Sequence, residues 1–158
     1  MKKYVLLVFL TLLVGSIIFL NEKEVEWELK VYDQNEVESA LEDLQFKVKV
    51  PTYIPNGITM RGAVIYVLER EHRSIEIRYL NEDNADGLIF DASLGTLESL
   101  PENIQWEPIS LNGQVGYIGH ADDMVELFLA WMDNGIMYQI TSYTLSEEEL
   151  VRIANSVP

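Results

Sequence analysis

The fold is decided by two hairpins in the second half of the chain. Residues 124–143 have the sequence MVELFLAWMDNGIMYQITSY, in which Asp133-Asn134-Gly135 separates two apolar segments. Residues 104–119 repeat this arrangement around Asn112-Gly113. An Asn-Gly pair readily adopts the positive φ angles that a tight hairpin turn requires. Both stretches therefore predict antiparallel β-hairpins.

The hairpin over residues 124–143 is apolar on both faces for part of its length. One face carries Val125, Leu127, Leu129 and Trp131, and we expect it to meet the core. The opposite face is either covered by a helix or forms an apolar groove for a peptide or a lipid. The candidate ligand-binding residues are those of this second face: Phe128, Met132, Met137 and Tyr143.

Further strands are predicted upstream of these hairpins. Residues 46–50 alternate apolar residues with lysine, which indicates a half-buried strand. Residues 58–68 and 74–80 are interpreted as two strands joined by the charged turn 69–73, and residues 88–94 as another.

Helices are predicted at both ends of this series of strands. Asn35 and Glu38 have the spacing of a capping box, as do Ser146 and Glu149 near the C-terminus. An apolar stripe follows each cap, as amphipathic helices require. The fold predicted for residues 35–158 is α+β: a twisted antiparallel β-meander with an N-terminal and a C-terminal helix packed on one face.

The N-terminus predicts a membrane anchor. Lys2 and Lys3 precede the uncharged run Tyr4–Leu20, which as a helix would span about 25 Å of the ~30 Å bilayer core. This run exceeds the usual apolar region of a signal peptide, ~7–15 residues, and lacks a good cleavage site. We expect a single-pass transmembrane helix within residues 1–20, with the basic N-terminus in the cytoplasm.

The rest of the chain is then extracytoplasmic, with residues 21–34 as a tether and residues 35–158 as the folded domain. Cleavage near Val14-Gly15-Ser16 would instead give a secreted protein, and this alternative stays open.

Charge and composition exclude several classes of function. Residues 21–158 carry a formal charge of −17, because the chain total is −15 and Lys2 and Lys3 are the only charged residues before them. So acidic a domain argues against binding nucleic acid. The chain has no cysteine, which excludes disulfides, thiolate metal sites and a thiol nucleophile.

Catalytic chemistry has little support in the sequence, and no cofactor is expected. His120-Ala-Asp122-Asp123 offers His120, Asp122 and Asp123 as metal ligands, which leaves a metal-dependent hydrolase as an alternative. The same residues also fit a polar turn in which the aspartates bond to the main chain. The chain has no Gly-x-Ser-x-Gly nucleophile elbow.

An ordered set of residues resembles a known family. It comprises Phe46-x-Val-x-Val-Pro51-Thr-Tyr-Ile-Pro55-x-Gly57, Leu111-Asn112-Gly113-x-x-Gly116, Trp131-x-x-x-Gly135-x-x-Tyr138-x-Ile140 and Glu148-Glu149-Leu150-x-x-Ile153-Ala154-x-Ser156. Over residues 36–158 the chain resembles domain-of-unknown-function family 4367, an extracytoplasmic domain of Gram-positive bacteria. The Tyr-x-Pro-x-Gly segment is also faintly similar to envelope-stress sensor domains of sigma-factor regulators.

The resemblance implies a location and a fold, and it supplies no catalytic residues. Together with the anchor, it predicts a membrane-anchored extracytoplasmic module that binds or senses an extracytoplasmic protein or peptide without catalysis. A secreted carrier of a small apolar or peptide ligand is the alternative.

Overall fold

The structure is a computed structural model that describes residues 26–83, 85–121 and 126–158. It contains one antiparallel sheet of eight strands and two α-helices, which confirms the α+β class. The strands are β1 Trp27–Asp33, β2 Thr59–Leu68, β3 Glu71–Leu80, β4 Asp86–Ser93, β5 Gln105–Leu111, β6 Gln114–His120, β7 Leu127–Asp133 and β8 Ile136–Ser142. The α-helices are α1 Val37–Asp43 and α2 Glu147–Asn155, and short 3₁₀ turns span Gln34–Glu36 and Leu97–Ser99.

The strand order is β1-β2-β3-β4-β8-β7-β6-β5, so the single meander predicted from the sequence is wrong. Two four-stranded meanders join where β4 pairs with β8. The central strands carry fully buried residues such as Phe90 and Ile140. By contrast, β5 contains Pro108, which lacks the N–H that an interior strand donates, and it lies at the sheet edge.

The predicted hairpin turns are confirmed. Asn112-Gly113 and Asn134-Gly135 both have positive φ at each residue. Glu69 and Arg70 also have positive φ, at 51° and 69°, and form a third two-residue turn. As a result β3 begins at Glu71, and the turn predicted over residues 69–73 is shorter than expected.

The core lies on one face of the sheet, beneath both helices. Val37 and Ala40 of α1 and Leu150 and Ile153 of α2 belong to the same buried cluster as the inward side chains of the strands. Within this cluster the Trp131 ring stacks on the Tyr138 ring, with centroids 5.2 Å apart. Burying an apolar side chain of this kind contributes about 1.5–3 kcal/mol.

The C-terminal helix begins as predicted. Ser146 Oγ accepts a hydrogen bond from the Glu149 main-chain N–H, and the Ser146 N–H donates to Glu149 Oε2 at 3.0 Å. Leu145, before the cap, and Leu150, in the first turn, both pack in the core cluster. These contacts fix the start and the direction of α2.

Two N-terminal predictions need correction. Residues 27–33 of the predicted tether form β1, which pairs with β2 along its whole length. They alternate Trp27, Leu29 and Val31 with polar residues, and this period-two pattern is typical of a strand. The capping box is formed by Asp33, the last residue of β1, with Glu36, and it caps the 3₁₀ turn that leads into α1; Asn35 is not the cap.

Residues 46–50 form a loop and not the predicted strand. The Lys49 N–H donates to the Tyr138 hydroxyl at 3.2 Å, and Lys49 Nζ lies 2.8 Å from Asp133 Oδ2. Further along, the Tyr53 N–H donates to Ser156 Oγ. The polar groups of this segment thus bind across the end of the sheet instead of joining a ladder.

The predicted anchor, Tyr4–Leu20, lies outside the described residues. In residues 26–83, 85–121 and 126–158, none of the helices is long and apolar enough to cross a membrane.

Candidate functional site

The sheet has one face that the two α-helices leave uncovered. We call it the open face: it carries the side chains that alternate with the core residues along each strand. Its central row, as the ladders align it, is Val31, Val64, Glu76, Asp91, Gln139, Ala130 and Tyr117.

Three of the four predicted ligand-binding residues lie on the open face. Met132 pairs with Met137 across the β7–β8 ladder, and both are half-buried. Phe128 is also half-buried, and its ring centroid lies 6.1 Å from that of Trp106. Tyr143 follows the last residue of β8 and is 45% exposed.

The face predicted to meet the core does so where the structure describes it. Leu129 and Trp131 are fully buried and Leu127 packs at the margin, whereas Val125 lies outside the described residues.

A loop, and not a helix, packs on part of the open face. Residues 94–104, here called the crossing loop, connect the central strand β4 with the edge strand β5. Ser99 Oγ of this loop lies 3.8 Å from Met137 Sδ. The Trp106 indole N–H donates to the Pro101 carbonyl at 3.1 Å, which ties the loop to β5.

A cavity of about 510 Å³ opens between the crossing loop and the open face. It is a shallow depression that is wide open to solvent. Two carboxylates, Glu98 and Glu102, stand at its rim, and both residues are exposed. The apolar lining consists of Leu97, Leu100, Pro101, Ile104, Trp106 and Tyr117.

Gly119 allows the aromatic wall of this cavity to form. A Cβ atom at this position would lie 2.8 Å from the Trp106 ring and 2.7 Å from Ile104 Cγ2, too close for either side chain to stay in place. The absence of a side chain at Gly119 therefore lets Trp106 lie against β6.

Trp106 and Tyr117 line this cavity but were not predicted as site residues. Period-two alternation could have found them. In the hairpin 104–119, Trp106 and Tyr117 lie on the face opposite to Leu111 and Ile118, whose side chains face the core. The period-two argument that selected Phe128 would have selected them too.

A second cavity of about 510 Å³ opens at the other end of the open face, beside β1 and β2. Its lining includes Val31 and Val64 together with two basic residues, Arg61 and Arg78, and one acidic residue, Asp33. Arg78 Nε donates to Glu76 Oε1, so this cationic group is partly neutralised. The two ends of the open face thus differ in charge.

A carboxyl pair lies between the two cavities. Asp91 stands directly opposite Glu76 in the β3–β4 ladder, and the Tyr66 hydroxyl donates to Glu76 Oε2 at 3.1 Å. Burial, and then the neighbouring Glu76 carboxylate, raise the pKa of Asp91 to about 7, while Arg78 opposes the rise. The open face therefore carries a carboxyl group that changes charge near neutral pH.

The predicted metal ligands are only partly described. His120 Nε2 lies 3.3 Å from Glu147 Oε1 in the first turn of α2, an ion pair when the imidazole is protonated. Asp122 and Asp123 lie outside the described residues. Among the histidines, aspartates and glutamates that the structure does describe, no group of three could hold a metal ion.

Comparison with known proteins identifies a family for most of the sheet. No curated protein and no solved structure matches the chain. The family whose model matches is described as Domain of unknown function (DUF4367), and the match spans residues 48–157. The matched range contains β2 to β8 and α2, and it leaves β1 and α1 outside. The resemblance noted in the sequence is thereby confirmed, and the chain belongs to the DUF4367 family.

Proposed function

We propose that the chain is a non-catalytic binding module, held at the outer surface of the membrane by Tyr4–Leu20, that captures a peptide on the open face. The observation that carries this proposal is the cavity under the crossing loop. An aromatic and aliphatic lining faces solvent there, and the half-buried Met137 on the same face of the sheet contacts Ser99 of the crossing loop. Apolar surface of this kind, rimmed by polar groups, marks binding sites.

Charge selects the class of peptide. Glu98 and Glu102 stand at the cavity rim, and residues 21–158 carry a net charge of −17. A negative field attracts cations and repels anions as they approach. The ligand we propose is accordingly a peptide segment with apolar side chains for the cavity and lysine or arginine for its rim.

Flexible side chains suit such a ligand. Met132 and Met137 are unbranched and polarizable, so they adapt to different apolar groups. The crossing loop contacts Met137 through Ser99, so Met137 borders the loop although it does not line the cavity. The binding surface thus combines a fixed aromatic wall with an adaptable side.

Photo-crosslinking tests the proposal. Three hexapeptides share three leucines and one benzophenone residue and differ only in the intervening residues: lysine, glutamine or glutamate. Each is presented to the full chain in phosphatidylcholine nanodiscs, with empty nanodiscs as the blank. We expect labelling to fall from the lysine to the glutamate peptide and to map to residues 97–117.

A matched pair of variants locates the site. Leu100→Asn alters the cavity lining, whereas Leu94→Asn alters an exposed leucine of the same loop that does not line the cavity. Labelling by the lysine peptide should fall at least about tenfold in the first variant, since burying one such side chain is worth ~1.5–3 kcal/mol. Equal labelling in both variants, or labelling elsewhere on the domain, would refute the proposed site.

A secreted carrier would use the same surface and differs only in location. Fractionation of cells into membrane and culture medium separates the two possibilities, because only the anchored form stays with the membrane.

A further inference from the structure

The two edges of the sheet are protected very differently. β5, at one edge, contains Pro108, which has no N–H to offer a neighbouring strand. β1, at the other edge, contains no proline and has the sequence WELKVYD. An edge strand without such protection is a template for pairing with another chain.

The main-chain groups of β1 that face away from the sheet can be assigned. The Glu69 N–H donates to the Glu26 carbonyl at 3.0 Å, so Glu26 directs its carbonyl at the neighbouring strand. Main-chain direction alternates along a strand, and the outward-directed residues are therefore Trp27, Leu29 and Val31. Their side chains are 60%, 58% and 74% exposed, the largest run of exposed apolar residues in the part of the chain the structure describes.

We infer that β1 pairs with β1 of a second copy of this chain, antiparallel, with Leu29 on the two-fold axis. In this register Trp27 lies opposite the partner's Val31, and Glu28 lies opposite the partner's Lys30. Because Leu29 is an outward-directed residue, the two copies exchange both main-chain hydrogen bonds at the axis. The paired sheets then continue from one copy into the other.

Charge selects this register over its neighbours. Among the described residues, Glu28 has no cationic partner, and Lys30 forms no ion pair with a carboxylate; its Nζ lies 3.1 Å from His72 Nε2. With Leu29 on the axis, two Glu28–Lys30 ion pairs form between the copies, one on each side of the axis. Placing Lys30 on the axis would instead set lysine against the partner's Lys30, and opposed like charges destabilise a ladder.

The predicted anchor is compatible with this arrangement. A two-fold axis between antiparallel edge strands runs perpendicular to the sheet. When this axis is also normal to the membrane, residue 26 of both copies lies at the same height above the membrane. Residues 21–26 can span at most about 20 Å. This length lets residues 4–20 of both copies enter the same bilayer.

Cysteine crosslinking in the full chain, reconstituted in nanodiscs, tests the pairing and its register. The chain contains no cysteine, so each single variant reports one contact. Leu29→Cys should form a disulfide-linked dimer, since hydrogen-bonded opposite residues have Cα atoms ~5.5 Å apart. Val31→Cys is the matched control: its two copies would lie about 13 Å apart along the strand, beyond disulfide reach.

A charge exchange supplies a second measurement. Glu28→Lys or Lys30→Glu alone should raise the dissociation constant of the dimer about tenfold, and the double variant should restore it. Efficient crosslinking of Val31→Cys, or no crosslinking of either variant, would overturn the inference. A third outcome would also overturn it: the unlabelled Leu29→Cys variant forms no disulfide, and a separate sample labelled with a thiol-reactive fluorophore reports an apolar environment in nanodiscs, because β1 would then rest on lipid.

Discussion

Asp91 lies directly opposite Glu76 across two central strands, and both donors beside them, the Tyr66 hydroxyl and the Arg78 guanidinium, bind Glu76. Asp91 is left partly buried next to a second carboxylate. A position of this kind makes deprotonation of Asp91 costly in the folded state.

The first prediction concerns Asp91→Asn. The pKa of Asp91 is raised from 3.8 to about 7, so the folded chain holds this proton more tightly than the unfolded chain. The free energy of unfolding should therefore fall as pH rises from about 4 to about 7, and it should change little above pH 7. The total fall is at most ~4 kcal/mol, because one pKa unit corresponds to 1.36 kcal/mol. We expect Asp91→Asn to raise the melting temperature at pH 8 and to leave it nearly unchanged at pH 4.

Glu107→Gln is the control for this measurement. It removes one carboxylate from an exposed position on the edge strand β5 and so changes net charge equally. If both variants flatten the pH profile to the same degree, the effect comes from net charge and not from the Asp91–Glu76 pair.

The second prediction concerns Gly119→Ala. The new methyl group would overlap Trp106 and Ile104, and one of them must move. Overpacking of this kind typically costs about 1–3 kcal/mol. We expect a lower melting temperature, a shifted tryptophan emission maximum and loss of crosslinking by the lysine hexapeptide. Wild-type emission together with wild-type crosslinking would show that Trp106 does not depend on Gly119.

Local sequence signals predicted the hairpin turns and the C-terminal helix start, but not β1, the loop over residues 46–50 or the Asp33 cap. Asn112-Gly113, Asn134-Gly135 and the Ser146–Glu149 capping box each act within a few residues, and each turn or helix start forms where it was predicted. The strand order was not predictable in this way. Pairing of β4 with β8 brings together residues about 50 positions apart, and no local pattern encodes it.

The candidate site was predictable in part. Alternation placed Phe128, Met132 and Met137 on one face, but it could not show what covers that face. The crossing loop covers part of that face, because it runs from the central strand β4 to the edge strand β5. Asp91 was missed because its partner Glu76 is supplied by another strand.

The third prediction concerns the cap of α2. Ser146→Ala removes the hydroxyl that accepts from the Glu149 N–H, and it should cost about 1 kcal/mol. The main-chain N–H of Ser146, and then its hydroxyl, bond the Glu149 carboxylate and lower its pKa, so these bonds stabilise the fold at neutral pH and are lost in acid; of these two bonds, Ser146→Ala removes only the one from the hydroxyl. Chemical denaturation at pH 7 measures the loss. Thr144→Ala, on an exposed neighbour outside the capping box, should change stability less.

The fourth prediction is that Tyr4–Leu20 stays attached. Its length and the poor cleavage site at Val14-Gly15-Ser16 favour an uncleaved anchor. Intact-mass analysis of protein purified from membranes should give a mass that includes residues 4–20. A mature N-terminus at or soon after Ile17 would contradict the anchor and favour the secreted carrier.

The last prediction separates the open face from the core with two substitutions on the same hairpin. Met137→Gln changes a half-buried residue under the crossing loop, whereas Leu129→Gln puts an amide at a fully buried position. An unpaired buried amide costs about 1–3 kcal/mol by protein mutational data, in addition to the lost apolar burial. The Leu129 variant should lose several kcal/mol of stability.

The Met137 variant should lose much less, because glutamine has similar length and can reach solvent at the margin of the loop. It should nevertheless weaken the contact with Ser99 and expose residues 94–104 to proteolysis. Cooperative melting near the wild-type temperature, combined with faster cleavage in this loop, is the expected result. If Met137→Gln unfolds the chain as severely as Leu129→Gln does, then Met137 is core, the crossing loop is a fixed part of the fold, and peptide capture beneath it is excluded.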